Sequence, residues 1–172
     1  LKRRGAPFLY GANVAVMDMR TMVVCYGSPE WSLSDIALTD MARFYGLPVW
    51  GTGGASDSKI VDAQAGLEAM MSIYTAYLAR VTLVHDVGYI ESGLTSSMEM
   101  IVLGNEIIGM ARHVVEGMQV DAETLAMEAI HNVVPGSGFM AADHTLENWR
   151  TALYMPDLLD RQRYDRWEKK GS

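Results

Sequence analysis

Helical periodicity is the clearest pattern in the first third of the chain. Between Ser32 and Tyr45, apolar residues recur at intervals of three and four, the spacing that places them on one face of a helix. Ser32 is a suitable N-cap and Asp35 a suitable acidic residue in the first turn, while Gly46 and Pro48 end the pattern. The predicted buried stripe of this helix is Leu33, Ile36, Ala37, Met41 and Phe44.

A unit of apolar run, loop and helix then occurs twice. In the first copy these segments are residues 47–50, the glycine-rich loop 51–58 and a helix over about 61–79. In the second copy they are residues 81–85, 86–93 and about 97–116. Trp50 and His85 lie 35 positions apart near the ends of the two apolar runs. We therefore expect them at the carboxyl ends of neighbouring parallel strands, each followed by its helix.

The two apolar runs are continuous, a pattern typical of a parallel sheet covered by helices. A closed barrel and a doubly wound open sheet share this local pattern, so the spacing leaves both open. Each of the two helices has a predicted apolar face. These faces are Ala63, Leu67, Met70, Met71, Tyr74 and Leu78 in the first helix, and Met100, Leu103, Ile107, Met110 and Val114 in the second.

The flanking segments differ from this central region. Short strand patterns occur at residues 8–10, 14–17 and 22–26, and helical patterns at 121–134, 143–152 and 157–170, with Asp121 and Asp143 as N-caps. We therefore predict one domain over residues 1–172. Its parts are a strand and loop region over 1–30, βα units over 31–116 and a helical region over 117–172.

Composition and charge narrow the function classes. The formal net charge of −7 argues against a nucleic-acid partner, which would require a basic face. Cys25 is the only cysteine, and the four histidines lack a metal-binding spacing, so we expect neither an internal disulfide nor a metal site. No transmembrane segment or signal peptide is predicted, which favours a cytoplasmic protein. The chain opens in mid-pattern without methionine, and we expect it to be part of a longer protein.

Several motifs resemble the trimethylamine methyltransferase (MttB-like) family, and they occur in the family's order over nearly the whole chain. The most distinctive is His85-Asp86-Val87-Gly88-Tyr89-Ile90-Glu91-Ser92-Gly93-Leu94. The others are Gly5-Ala6-Pro7-Phe8, Met17-Asp18-Met19-Arg20, Gly27-Ser28-Pro29-Glu30, Gly46-Leu47-Pro48, Gly53-Gly54-Ala55-Ser56-Asp57-Ser58-Lys59, Asp62-Ala63-Gln64-Ala65, and Asp143-His144-Thr145 with Arg150.

The resemblance implies a fold and a reaction that the spacing alone does not. The fold is the C-terminal part of a TIM-type (β/α)₈ barrel, an α/β class, followed by a helical region. The reaction moves a methyl group from a methylated amine to Co(I) of a corrinoid carried by a separate protein. The chain itself then binds no cofactor, and its partners are the corrinoid-binding protein, a small cationic amine and further copies of itself.

The resemblance also bears on the substrate. Trimethylamine enzymes of the family use pyrrolysine to activate a neutral amine, and none of these 172 residues is pyrrolysine. A quaternary amine such as glycine betaine needs no such activation, because its nitrogen leaves as a neutral amine. Trimethylamine remains the other candidate substrate.

Because barrel enzymes build their sites from loops at the carboxyl ends of strands, two loops supply candidate site residues. Trp50 offers a π face to a methylammonium group or, alternatively, only closes the barrel end. His85 and Asp86 are the candidate catalytic residues. His85 could hydrogen-bond a substrate carboxylate or orient a group, with Asp86 fixing its tautomer, or it is a core histidine bonded to the backbone. Asp86 could instead only hold a loop.

Substrate-binding roles are also predicted for three further residues. Lys59 could pair with a substrate carboxylate or with Asp57, Tyr89 could form a cage wall or pack in the core, and Glu91 could supply negative potential or hold a loop.

Two alternatives to this enzyme remain at this stage. One is a non-catalytic half-barrel that pairs with another chain, since open sheet edges require a partner. The other is an unrelated α/β enzyme in which Gly51-Thr52-Gly53-Gly54 binds an anion, although the glycine spacing is that of neither a dinucleotide nor a Walker loop.

Overall fold

The computed structural model describes residues 3–11 and 13–171, which divide into two compact units. The first unit ends at Val115 and the second begins at Glu116. This division lies one residue from the predicted boundary between the βα units and the helical region. The assignment of the whole chain to one domain stays a prediction.

Short strands and helices alternate in the first unit, whereas the described part of the second contains helices only. The strands are β1 (Tyr10–Gly11), β2 (Met17–Asp18), β3 (Val23–Val24), β4 (Val49–Thr52), β5 (Leu83–His85), β6 (Tyr89–Ile90) and β7 (Thr95–Ser96). The helices are α1 (Pro29–Phe44), α2 (Ala63–Ala79), α3 (Met98–Glu116), α4 (Met127–Asn132), α5 (Asp143–Ala152) and α6 (Tyr164–Lys169).

A three-stranded parallel sheet, ordered β1-β4-β5, organises the first unit. Helix α1 lies between β1 and β4 in the chain, α2 joins β4 to β5, and α3 follows β5. The predicted α/β class and the two repeated βα units are confirmed. The other four strands form the antiparallel pairs β2-β3 and β6-β7, so the strand patterns predicted at 14–17 and 22–26 shrink to a two-residue ladder.

The N-cap of helix α1 is Ser28, four residues before the predicted cap Ser32. The hydroxyl of Ser28 accepts a hydrogen bond from the amide of Trp31 (3.3 Å), and Pro29 occupies the first helical position. Proline suits that position because its missing N–H would have no helical partner. The prediction of Ser32 as the N-cap is therefore wrong, and Ser32 lies buried inside the helix.

The predicted buried face of α1 is also wrong. Leu33, Met41 and Phe44 are exposed, Phe44 by 79%. The opposite face is buried and partly polar, and it consists of Trp31, Ser32, Asp35, Thr39 and Ala42. Hydrogen bonds to β4 select this face, because a buried polar group must be bonded and the exposed apolar residues carry no such requirement.

Helices α2 and α3 supply the core of the first unit. The core cluster contains Ala65, Ala69, Ile73, Ile90, Met100, Ile107 and Ala111. On α3 this matches the predicted stripe at Met100 and Ile107, with Leu103 partly buried. On α2 the contact face is built from small residues, whereas the predicted Leu67 and Leu78 are exposed. Small side chains allow close helix approach, and α2 is apolar nearly all round, so its periodicity does not select one face.

The second unit has shorter helices than predicted. Residues 121–126 form turns rather than helix, and Ala126, with φ of 49°, precedes α4. The carboxylate of Asp121 caps the turn by accepting hydrogen bonds from Glu123 N (3.0 Å) and Thr124 N (2.9 Å). The predicted helix over 157–170 is confined to α6, while α5 has the predicted bounds. Asp143 is the first residue of α5, and Ala142 is its N-cap, without a side-chain bond.

Candidate functional site

Three predicted site residues meet on the neighbouring strands β4 and β5, near the carboxyl end of β5. The rings of Trp50 and His85 are in contact edge to face, with centroids 5.0 Å apart and an interplanar angle of 82°. His85 Nδ1 lies 2.6 Å from Asp86 Oδ1. The Trp50 side chain is 49% exposed, whereas Asp86 is largely buried. The cluster therefore combines an accessible π system with an imidazole oriented by a carboxylate.

The backbone of Asp86 makes this pairing possible. Its φ of 77° lies in the left-handed region, which side chains other than glycine rarely adopt. A side chain there bends back next to that of His85. Strained backbone of this kind is concentrated at functional sites, where surrounding contacts stabilise it. Since Asp86 accepts at Nδ1, a neutral His85 carries its proton on Nδ1 and has Nε2 as its other hydrogen-bonding atom.

Trp50 lies earlier in its strand than the sequence predicts. Strand β4 ends at Thr52, which is paired in register with His85, whereas Trp50 is paired with Leu83. The prediction that Trp50 and His85 occupy equivalent strand ends is therefore wrong by two residues, although their strands are parallel neighbours as expected. Residues two apart on a strand lie on the same face, which is why the two rings still meet.

Thr52 belongs to a hydrogen-bond network that the sequence did not indicate. Asp35 Oδ2 accepts from Thr52 N (2.9 Å) and from Thr52 Oγ1 (2.8 Å). Trp31 Nε1 donates to Thr52 Oγ1 (2.6 Å). The ring of Tyr26 stacks on Trp31 with centroids 4.4 Å apart. An acidic residue in the middle of the helical pattern was the one available signal, but it was interpreted as part of a cap.

The other three predicted site residues lie in a second group. Tyr89 belongs to β6 and Glu91 to the turn after it, and both side chains are exposed. The carboxylate of Glu91 accepts from Thr95 Oγ1 (3.0 Å), and the ammonium of Lys59 donates to the carbonyl of Asp57 (2.7 Å). Their substrate-binding roles stay predictions.

Asp57 and Glu68 hold the loops of the first unit together. Asp57 accepts from the amides of Tyr26 (2.7 Å) and Gly27 (3.1 Å) and from the hydroxyl of Ser92 (2.9 Å). Glu68 Oε2 accepts from Ser56 Oγ (2.6 Å) and Asp57 N (2.8 Å). A Cβ added at Gly27 would lie 2.3 Å from Glu68 Cδ, so a larger residue there would displace the Glu68 side chain from these bonds.

The backbone amides of the glycine-rich loop donate hydrogen bonds to acceptors within the protein. The amides of Gly53, Gly54 and Asp57 donate to His85 O (3.0 Å), Ser72 Oγ (3.0 Å) and Glu68 Oε2 (2.8 Å), respectively. The amides of Ser56 and Ser58 also have protein acceptors. An anion cradle requires amides that point at the ligand. The geometry therefore disfavours the anion-binding enzyme considered from sequence.

Neither a metal-binding cluster nor a membrane-spanning helix is found among the described residues. No group of three or more His, Cys, Asp or Glu side chains among them is placed to hold a metal ion. Within the same part of the chain, no helix has both the length and the apolar character that crossing a bilayer requires.

Parallel strands followed by helices define an α/β protein, and the aromatic, imidazole and carboxylate cluster lies near the carboxyl end of β5, the side of such a sheet where α/β proteins bind ligands. The sequence model of the trimethylamine methyltransferase (MTTB) family matches residues 1–172, and the chain belongs to that family.

Curated relatives carry two different substrate names. The chain is 40% identical over 167 residues to the glycine betaine methyltransferase of Desulfitobacterium hafniense strain Y51, covering 96% of the chain and 35% of the relative. It is 36% identical over 172 residues to the trimethylamine methyltransferase MttB of D. hafniense strain DSM 10664 / DCB-2, covering 100% and 34%. It is also 36% identical over 170 residues to MttB of Methanosarcina thermophila, covering 98% and 35%. The chain spans about a third of the length of these relatives.

Proposed function

We propose that the full-length protein containing this chain transfers a methyl group from a methylated amine to Co(I) of a corrinoid carried by a partner protein. Family membership over the whole chain carries this proposal, because the named relatives act on trimethylamine or glycine betaine. The corrinoid supplies the nucleophile when it is bound by its own protein. The residues of this chain then have to bind the amine, orient it and exclude water.

We further infer that β1, β4 and β5 are consecutive strands of a (β/α)₈ barrel. Their parallel order and the intervening helices α1 and α2 support this arrangement. The exposed apolar stripe of α1 supports it as well, since a neighbouring barrel helix would cover Leu33, Met41 and Phe44. The cluster of Trp50, His85 and Asp86 would then face the mouth where substrates enter barrel enzymes.

A quaternary amine of the glycine betaine type is the proposed substrate. The identity to the glycine betaine methyltransferase is 40%, compared with 36% for the two MttB proteins. A quaternary nitrogen has no N–H to donate, so it is held by π faces and diffuse negative potential. The exposed indole of Trp50 suits this purpose, because a cation over an aromatic face gains about 0.5–2 kcal/mol.

The carboxylate of such a substrate requires a donor, and His85 is the proposed one. With Nδ1 engaged by Asp86, a protonated His85 presents Nε2–H to the carboxylate, and the Asp86 carboxylate balances the imidazolium charge. Trp50 next to His85 would place the two ends of the substrate on adjacent groups. Lys59, Tyr89 and Glu91 are proposed as outer contacts around this pair.

Substitution of the two contacting residues tests the proposal. In the full-length protein, His85→Ala should lower kcat/KM for a betaine by about 10- to 100-fold, since a hydrogen bond to a charged group contributes about 1.5–3 kcal/mol. Trp50→Ala should mainly weaken binding, by about tenfold. The assay follows corrinoid absorbance with a panel of betaines and methylamines.

Matched substitutions control for unspecific loss. His131→Ala and Trp167→Ala alter the same residue types in the second unit and should leave the rate unchanged. Wild-type rates and half-saturating concentrations for both His85→Ala and Trp50→Ala would refute this site.

A non-catalytic module that pairs with another chain is the second candidate. The observation in its favour is that β1 and β5 are the edges of the described parallel sheet, and edge strands invite pairing. Under this alternative, the full-length protein would leave the corrinoid unmethylated with every amine of the panel and would sediment as a complex with the pairing chain.

A further inference from the structure

Asp35 is a buried acidic residue in the middle of α1. It is 7% exposed, and Oδ2 accepts both hydrogen bonds that Thr52 donates. We propose that Asp35 is a positioning residue that, as a neutral carboxyl group, holds the carboxyl end of β4 next to His85. Its consequence for catalysis rests on the proposed function, whereas the structural role does not.

The route from Asp35 to the site consists of three consecutive contacts. Asp35 fixes both the amide and the hydroxyl of Thr52, and Thr52 is paired in register with His85. The next amide, that of Gly53, donates to the carbonyl of His85 (3.0 Å). Trp31 bonds the hydroxyl of Thr52 from α1 and so fixes the orientation of that group. The relative position of Trp50 and His85 therefore depends on the attachment of β4 to α1.

The second carboxyl oxygen of Asp35, Oδ1, indicates whether Asp35 is neutral or ionised when it holds the end of β4. Oδ1 is buried and has no hydrogen-bond partner among the described residues. The gap that Asp35 lines together with Ser32, Ser72 and Thr75 is too narrow for a water molecule. An ionised oxygen in such a place would be strongly disfavoured, whereas a protonated one carries no charge. Burial accordingly raises the pKa of Asp35, outweighing the two bonds from Thr52 that lower it.

Two titratable groups act on Asp35 across the sheet. The charge of His85 lowers the pKa of Asp35, and that of Asp86 raises it. The side chains lining the gap from α1, α2 and β4 are hydroxyl or apolar and do not titrate. The pH test below therefore compares variants that leave both His85 and Asp86 in place.

Two substitutions at Asp35 separate shape from charge. Asp35→Asn keeps an oxygen for both bonds from Thr52 and cannot ionise. Asp35→Leu removes the acceptor, and Thr52→Val removes the hydroxyl at the other end of the same contact. Thr52→Ser is the matched control, because it restores the hydroxyl. If Asp35→Leu fails to fold, Thr52→Val against Thr52→Ser still tests the same connection.

The first readout is the pH dependence of thermal unfolding of the full-length protein. A carboxyl with a raised folded pKa contributes stability that is present below its unfolded pKa and is lost as pH rises through its folded pKa. The midpoint of wild type minus that of Asp35→Asn should therefore fall as the pH rises above about 4, the ordinary pKa of an aspartate in an unfolded chain. A difference that is constant or rises with pH would show an ionised Asp35 and overturn the neutral assignment.

The second readout is Trp50 fluorescence, isolated by subtracting a Trp50→Phe background. The His85 imidazole contacts the indole edge to face, so at one fixed pH the emission of Trp50 should be quenched in wild type relative to His85→Gln. Quenching should persist in Asp35→Asn and Thr52→Ser and be lost in Asp35→Leu and Thr52→Val. Quenching that survives in those last two variants, or is lost in Asp35→Asn, would overturn the positioning role.

Methyl transfer is the third readout, and it separates failure of this inference from failure of the proposed function. Asp35→Leu should raise KM for a betaine, with Asp35→Asn close to wild type. If His85→Ala also leaves the rate unchanged, the proposed function has failed, and the fluorescence and unfolding results still decide the role of Asp35. If His85→Ala is impaired and Asp35→Leu is not, the positioning role is refuted.

Discussion

The first unit has a buried core, whereas the second has no buried side chain among its described residues. In the first unit, α2 and α3 enclose Ala69, Ile73 and Met100. In the second, Met118, Met127 and Met140 are mainly exposed although the segment is rich in apolar residues. Both units thus contain apolar side chains, and among the described residues only the first unit buries them.

The difference shows what a helix needs in order to bury its apolar face. The first unit has a sheet and three long helices, so each element has a surface to pack on. The second unit contains 57 residues, and its helices α4, α5 and α6 are only six to ten residues long. A chain segment of that size buries a smaller fraction of its surface, and short helices are marginal without packing. Stability should therefore be concentrated in the first unit.

Hydrogen exchange gives the largest expected contrast. Amides of α2 and α3 should exchange only through global unfolding, whose free energy is about 5–15 kcal/mol in typical domains. Amides of α4 and α6 should exchange through local fraying at a free energy close to zero. Native-state exchange read by mass spectrometry measures both. Equal protection of α2 and α4 would contradict the contrast between the units.

Truncation of one buried side chain should have the next largest effect. Met100 is 0% exposed, so Met100→Ala should lower the free energy of unfolding by about 2–5 kcal/mol through lost burial and a cavity. Met140, in the second unit, is 85% exposed, and Met140→Ala should change the free energy of unfolding by less than about 0.5 kcal/mol. Denaturant unfolding compares the two variants. A similar loss in both would show that Met140 is covered by a partner.

Two residues with positive φ provide a smaller, stabilising comparison. Arg80 ends α2 with φ of 58°, a conformation that glycine adopts at lower cost, so Arg80→Gly should raise the unfolding free energy by about 1 kcal/mol. Ala126→Gly relieves the same strain in the second unit and should leave the unfolding of the first unit unchanged.

Arg80→Ala is the control for the loss of the arginine side chain and should produce no gain. A stabilisation as large in Arg80→Ala as in Arg80→Gly would show that the arginine side chain, not its backbone conformation, is unfavourable. Thermal unfolding of all three variants is sufficient to decide.

The smallest effect concerns an exposed turn outside the buried core of the first unit. Hydrogen bonds from Arg20 lower the pKa of Asp18 to about 2. A lowered folded pKa gives stability above the unfolded value that is lost as pH falls from about 4 to about 2. Arg20→Met should move the pKa of Asp18 up toward 3.8, as followed by the carboxyl carbon shift in NMR. The pKa of Asp121 in the second unit, whose carboxylate accepts a hydrogen bond from Thr124 N, should not change. An unchanged Asp18 would refute the role of Arg20.

The order of elements in the first unit was predictable because it depends on local patterns. The bounds of α2 and α3 lie within two residues of prediction, since apolar periodicity and the Asp62 cap act within a few residues of the chain. The same reasoning overestimated the helices at 121–134 and 157–170. Without a packing surface, periodicity alone does not stabilise a helix.

The candidate site was only partly predictable. His85 and Asp86 are adjacent in sequence, and their contact needed only one unusual backbone angle. Trp50 was placed two residues too far along its strand, because the end of a strand depends on its pairing with β5. Asp35 and Thr52 are 17 residues apart in different elements, and no local pattern connects them.

The sequence by itself determined the α/β class, the repeated βα units, the family and the paired His85 and Asp86, since these follow from local periodicity and contiguous motifs. Only the tertiary structure decided which face of α1 is buried, where β4 ends and that Asp35 supports that end. Periodicity reports where apolar residues lie along a helix. Which face is buried depends on the hydrogen bonds that distant elements offer, and these exist only after the chain has folded.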